Sequence, residues 1–184
     1  MQKEELAQAS EKSSLGRWLG WGALAGLLIT PAIAMQFTDE VDWDETDFLA
    51  MGIIFALIGG AFELAVRTSG NLAYRVGFAV ALLATFLLIW INLAVGIIKS
   101  EDNPANLMFA AVIATAVGGT VIARLQPRGM ARAMTATAIA QALIAVVALS
   151  MGDFILILTG LFILLWLSAA ALFNKAAQRD EHIF

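Results

Sequence analysis

The sequence predicts an all-α, polytopic membrane protein, one bundle of six transmembrane helices. Three observations carry that expectation. Of its 184 residues, 60% are hydrophobic and only 14% charged, and the mean hydropathy is +0.83; soluble domains average about 45–50% apolar and about 25% charged. The apolar residues gather in runs of roughly 17–25, the length that crosses a bilayer. Basic residues sit, with a single exception, in alternate connecting segments. A chain this apolar has too few polar residues to coat a soluble globule, so lipid must be its solvent, and its length leaves room for one domain.

Taken in order, the predicted spans are residues 18–37, 48–66, 76–98, 105–123, 133–150 and 154–173, with an N-terminal segment 1–17 and a tail 174–184. The leading segment carries Lys3, Glu4, Glu5, Glu11 and Lys12 and reads as an interfacial helix. The first span contains Gly16-x₃-Gly20 and Gly22-x₃-Gly26, spacings that allow close helix approach or dimerisation. Lys12 and Arg17 before an apolar run, then Pro31-Ala32-Ile33-Ala34, also fit a signal peptide with a cleavage site. The charged leader is long for a signal, and small-residue triplets are common in Ala-rich membrane helices. A retained span is therefore expected.

The second span follows an acidic loop, with Thr46 or Asp47 expected to cap the helix and Trp43 and Phe48 to anchor it at the interface. Before the fourth, Asn103 fits an N-cap and Pro104 the first helical position, where its missing N–H costs nothing. Asp102 favours the positive end of that helix. Between the fifth and sixth lies only Met151-Gly152-Asp153. Glycine is a poor interior helix residue and aspartate an efficient cap, so a tight hairpin is predicted, with Asp153 starting the last helix. The mixed-charge tail is expected to be solvated.

Charge sets the expected orientation. With the N-terminus inside, Lys3, Lys12, Arg17, Arg67, Arg75, Arg124, Arg128, Arg132, Lys175 and Arg179 are all cytoplasmic, and Lys99 alone is outside. Short loops are where this bias orients a protein most reliably. Both termini are thus expected in the cytoplasm. A weak repeat accompanies the pattern: Gly59-Gly60 precede Arg67 and Arg75, and Gly118-Gly119 precede Arg124 and Arg132. Hairpins two–three and four–five read either as copies of one unit or as a chance recurrence.

The residues able to carry chemistry are few. There is no cysteine, which removes disulfides, thiolate metal sites and cysteine nucleophiles, and the one histidine, His182, is two residues from the end. Haem ligation within the membrane, HExxH zinc chemistry and a Ser-His-Asp triad in the core have no players. No cofactor is expected, and no phosphate loop, dinucleotide fingerprint or nucleic-acid patch is present. Six carboxylates fall within nine positions, Asp39, Glu40, Asp42, Asp44, Glu45 and Asp47, and Glu101 and Asp102 lie in the next outer turn. Such oxygens attract hard cations. The spacing lacks the glycine and the final glutamate of an EF-hand, so a solvated acidic turn is the plainer reading and no defined metal site is predicted. Glu101 and Asn106 have no capping role and are candidates to line an outer mouth.

Within the spans the polar candidates are Glu63, Asn92 and Gln141. Glu63 lies near the inner boundary with Arg67 four residues on, a spacing suited to a snorkelling ion pair. Asn92 shares a face with Thr85 and Gly96, and Gln141 with Thr137 and Ala145. Such seams hold helices together through interhelical hydrogen bonds, or line a polar path.

The stretch Trp90-Ile-Asn-Leu-Ala-Val-Gly-Ile-Ile-Lys-Ser-Glu-Asp-Asn-Pro-Ala-Asn-Leu-Met108, with Ala123-Arg-Leu-Gln-Pro-Arg-Gly-Met-Ala-Arg-Ala133 after it, resembles small bacterial multi-pass inner-membrane proteins of unknown function. The resemblance implies a bacterial inner membrane and no activity. The expected role is a non-catalytic membrane component, accessory, assembly or scaffold, with lipid and a partner membrane protein or a second copy as its associates. The alternative is a small oligomeric transporter or channel for a cation or small solute, with an acidic outer mouth. An intramembrane enzyme would need more acid–base groups than one carboxylate.

Overall fold

A computed structural model describes the backbone of residues 2–181 and the side chains of residues 18–179. The helices are α1 (Gln2–Ala34), α2 (Glu45–Thr68), α3 (Leu72–Ala94), α4 (Phe109–Ala123), α5 (Pro127–Ser150) and α6 (Leu156–Glu181), and a 3₁₀ turn, Pro104–Met108, leads into α4. Among the described residues there is no strand. The stretches Glu45–Thr68, Leu72–Ala94, Pro104–Ala123, Pro127–Ser150 and Leu156–Arg179 are each long and apolar enough to cross a membrane. In α1 the apolar part is Trp18–Ala34, about 25 Å at helical rise, near the shortest length that spans.

Several boundaries differ from expectation, each for a local reason. Helix α1 has no break at Arg17, so the leader continues into the apolar segment as one helix. Helix α3 stops at Ala94 instead of continuing to residue 98, because Gly96 turns the chain at φ +71°. A Cβ there would lie 2.3 Å from the carbonyl carbon of Ser100, so only glycine fits. Helix α5 starts six positions early, with Pro127 opening it and Arg128, Gly129 and Arg132 already helical. The tail is not simply solvated: α6 runs on to Glu181, and Ala176 and Ala177 are buried.

The α5–α6 hairpin forms as predicted, but Asp153 plays another part in it. The Asp153 N–H donates to Ala148 O and the Gly152 N–H to Leu149 O, both at 3.0 Å. With Gly152 at φ +87° these are the paired bonds of a Schellman motif. Asp153 therefore finishes α5 and does not start α6, whose first residue is Leu156.

The chain forms two compact units, residues 1–63 and 64–184. In the first, Trp21 and Leu24 of α1 lie over Gly59 of α2, and Leu28 over Gly52. A Cβ on Gly59 would come within 2.8 Å of the Trp21 ring, so the missing side chain lets the indole sit against the helix.

In the second unit α6 packs against both α5 and α3, and α4 packs against α5. The contacts use small residues, as membrane helices do when no hydrophobic effect drives them together. A Cβ on Gly77 of α3 would lie 3.1 Å from Leu172 Cβ and 3.4 Å from Ala169 O of α6. Gly119 of α4 is placed so that a Cβ would be 2.7 Å from Ala133 Cβ of α5. Around the Gly77 contact, Tyr74 and Phe78 meet Phe173 edge-to-face, at centroid distances of 5.3 and 6.3 Å.

Candidate functional site

The acidic loop resolves into a helix start. Asp44 Oδ1 accepts from the Thr46 and Asp47 N–H groups, at 2.7 and 3.0 Å, and Asp47 Oδ2 accepts from the Asp44 N–H at 3.0 Å. This reciprocal pairing is a capping box, with aspartate in place of the usual glutamate. The cap is thus Asp44, not Thr46 or Asp47. Trp43, just before the cap, meets Phe48, four positions into the helix, edge-to-face at 5.2 Å. That contact is the hydrophobic staple that sets the entry angle of a helix. Asp39, Glu40, Asp42 and Glu45 are exposed, and among the described residues no three acidic groups converge as metal donors.

The second turn is built around Asn106, which is buried. Its Oδ1 accepts from the Ile97 and Ile98 N–H groups at 3.1 and 2.8 Å. Its Nδ2 donates to Ser100 O at 2.7 Å and to Ile98 O at 3.4 Å. One amide therefore answers four backbone groups of the loop that follows α3. Asn106 does not line a mouth; it clamps the loop behind it. Asn103 caps the following turn as expected, its Oδ1 accepting from the Ala105 N–H at 3.0 Å, with Pro104 first inside. Glu101 and Asp102 are exposed.

The clamp holds Lys99 in the left-handed region, φ 62°, a conformation costly for a residue with a side chain. Its ammonium lies 3.8 Å from Asp153 Oδ1, too far for a hydrogen bond, while Asp153 Oδ2 is buried without a partner. Beside this pair Ile97, Phe154, Ile155, Ile157, Leu158 and Leu161 enclose an apolar groove of about 510 Å³.

Asn92 and Gln141 do not make the interhelical bonds expected of their seams. Asn92 Nδ2 donates to Leu88 O at 2.8 Å, back along its own helix, and its Oδ1 is buried without a partner. Thr85 and Thr137 likewise donate to their own helices, at Ala81 O and Ala133 O. Gln141 is 0% exposed and neither of its amide atoms has a partner. Glu63 is half-buried in α2, one turn before the exposed Arg67. Asn92 lies two residues from the end of α3 and Gln141 nine from the end of α5. Helices α3 and α5 both run antiparallel to α6, so these ends coincide, and the two amides differ in depth by about 10 Å.

Several working residues carried no motif. Asn71 caps α3 through the Ala73 N–H at 3.0 Å and donates to Ala176 O of α6 at 3.4 Å. Arg75 donates from Nε to Ser69 O and from its guanidinium terminus to Val66 O, closing the end of α2. Buried Tyr74 donates its hydroxyl to Leu125 O at 2.8 Å, beside the left-handed Arg124 and Leu125. Thr159 and Trp166 of α6 are buried with polar atoms unpartnered. Positional signals for Asn71 existed, an Asn before an apolar run; the others depend on what the fold brings near.

The two Gly-Gly pairs do different work. Gly59 seats Trp21 of α1, whereas Gly119 seats Ala133 of the next helix. Arg75 ties down a helix end, while Arg132 is exposed. Gly20, Gly22 and Gly26 of α1 have no neighbour within 4 Å of a would-be Cβ. No family model matches the chain, and neither a curated protein nor a solved structure gives a match.

Proposed function

We propose that the chain is a non-catalytic component of a bacterial inner membrane, an accessory, assembly or scaffold protein that crosses the bilayer six times with both termini in the cytoplasm. The observation that carries the reading is the closed interior of the second unit. Gln141, Thr137, Thr159 and Trp166 are at most 1% exposed. A polar path for a cation or solute needs such groups to line water. Here Asn92 and Thr137 bond back to their own helices, and the acids of residues 39–47 and 101–102 serve caps or face solvent. Orientation rests on the ten-to-one basic asymmetry, and bacterial origin on the resemblance of residues 90–108 and 123–133. The large exposed apolar surfaces, including Trp18, Ile122 and Ile157, suit lipid and partner helices.

The sequence has no cysteine, so single thiols report cleanly. Gln141→Cys in native membranes is expected to resist a water-soluble maleimide, while Met151→Cys, exposed in the α5–α6 turn, labels fully. Rapid labelling at position 141, blocked by a permeating solute, would replace the scaffold with the transporter reading.

A further inference from the structure

The groove beside Lys99 has the shape and charge of a lipid site. Its walls are the loop residues Ile97, Phe154 and Ile155, with Ile157, Leu158 and Leu161 from the first two turns of α6. It thus reaches about 8 Å down from the start of α6, from headgroup level into hydrocarbon. Two of its lining residues, Phe154 at 71% and Ile157 at 82%, are largely exposed, so it opens sideways to the membrane. Its length, two turns, is short for a transmembrane helix to settle into and sufficient for the upper part of an acyl chain.

Charge sits next to the lining residues: Lys99 follows Ile97 by two positions and Asp153 directly precedes Phe154. Lys99 is the one basic residue among the segments at this end of the second unit, 95–108 and 150–156. Its side chain is 64% exposed, and its only ion-pair partner shown, Asp153, is at 3.8 Å, which leaves ammonium donors free. Its backbone is not free. The Asn106 clamp holds the two residues before it, and the Ser100 N–H closes onto Ile98 O at 2.8 Å. A left-handed backbone maintained by a dedicated buried amide fixes where this side chain leaves the loop. Asp153, with an unpartnered oxygen, lies 3.8 Å away, and the exposed Glu101 and Asp102 follow two and three residues after Lys99. A headgroup that is only anionic would meet their repulsion. One carrying both a phosphate and a primary ammonium matches both signs.

We propose that this groove binds a glycerophospholipid with a phosphoethanolamine headgroup, its phosphate on Lys99 Nζ, its ammonium among the neighbouring carboxylates and one acyl chain along α6. The test is a lipid titration of the full chain, purified in detergent, followed by native mass spectrometry. The lipids are phosphatidylethanolamine, phosphatidylcholine (no ammonium N–H), phosphatidylglycerol (no cation) and diacylglycerol (no phosphate). Phosphatidylethanolamine is expected to bind most tightly. Lys99→Gln should weaken it about tenfold, the loss of one charge-assisted bond, and Lys99→Arg should restore it. Ile157→Trp places bulk in the groove from a lipid-facing position that the fold does not need, and should abolish saturable binding. Equal binding of all four lipids overturns the proposal, as does unchanged affinity in Lys99→Gln. If Lys99→Gln fails to fold, Ile157→Trp decides: phosphatidylethanolamine bound as tightly as by the unaltered chain overturns the assignment.

Discussion

Asn106 and Gly96 make one device, and neither works without the other. The glycine turns the chain out of α3, and the amide collects the N–H and C=O groups that the turn leaves unanswered. Asn106→Leu keeps the branching at Cγ and removes every bond. It should destabilise by about 3 kcal/mol, since buried backbone groups are then left unsatisfied; the denaturant midpoint in mixed micelles measures it. Asn103→Ala, which loses a single cap bond near solvent, should cost about 1 kcal/mol in the same assay. Gly96→Ala should be worse than either, because its methyl would overlap the Ser100 carbonyl. Asn103 was readable from sequence because a cap and the proline after it are adjacent. Asn106 was not, because its partners lie eight or nine positions back and become near only once the loop has folded. Asp44 was missed as the cap of α2 for a different reason. In a run of six acids any of several residues could begin the helix, and the choice falls to the one whose preceding Trp43 reaches Phe48.

At the scale of helices, the existence of each element was legible and its ends were not. Apolar runs fix where lipid-embedded helix must be, but helices continue past the hydrocarbon wherever a backbone can, as α5 does from Pro127 and α6 does to Glu181. The packing seams show the same division. Small residues were expected at contacts, yet which glycine matters is set by what faces it. Gly119→Val should force α4 from α5, since even a Cβ would lie 2.7 Å from Ala133, whereas Gly118→Ala meets nothing within 4 Å. A loss of several degrees in melting temperature for the first and almost none for the second is expected. Gln141 gives the opposite case. Its amide is wholly buried and without partners, so Gln141→Leu, close in volume, should be neutral or stabilising by about 1 kcal/mol. Severe destabilisation of that variant would mean that its amide is satisfied by a group from outside the chain.

For the whole molecule, the sequence alone specified an all-helical membrane protein, because composition and hydropathy act on every residue at once. What it could not specify was use: polar residues that read equally as pathway or glue are separated only by burial and hydrogen bonding. Function, lipid site and acidic face all depend on placement across the membrane. Reporter domains active only outside or only inside, fused after Thr46, Gly70, Asn103 and Gly129, measure it directly. The account predicts extracytoplasmic signals at Thr46 and Asn103 and cytoplasmic signals at Gly70 and Gly129, following the basic residues. Reversal at any one of the four would contradict the six-span arrangement.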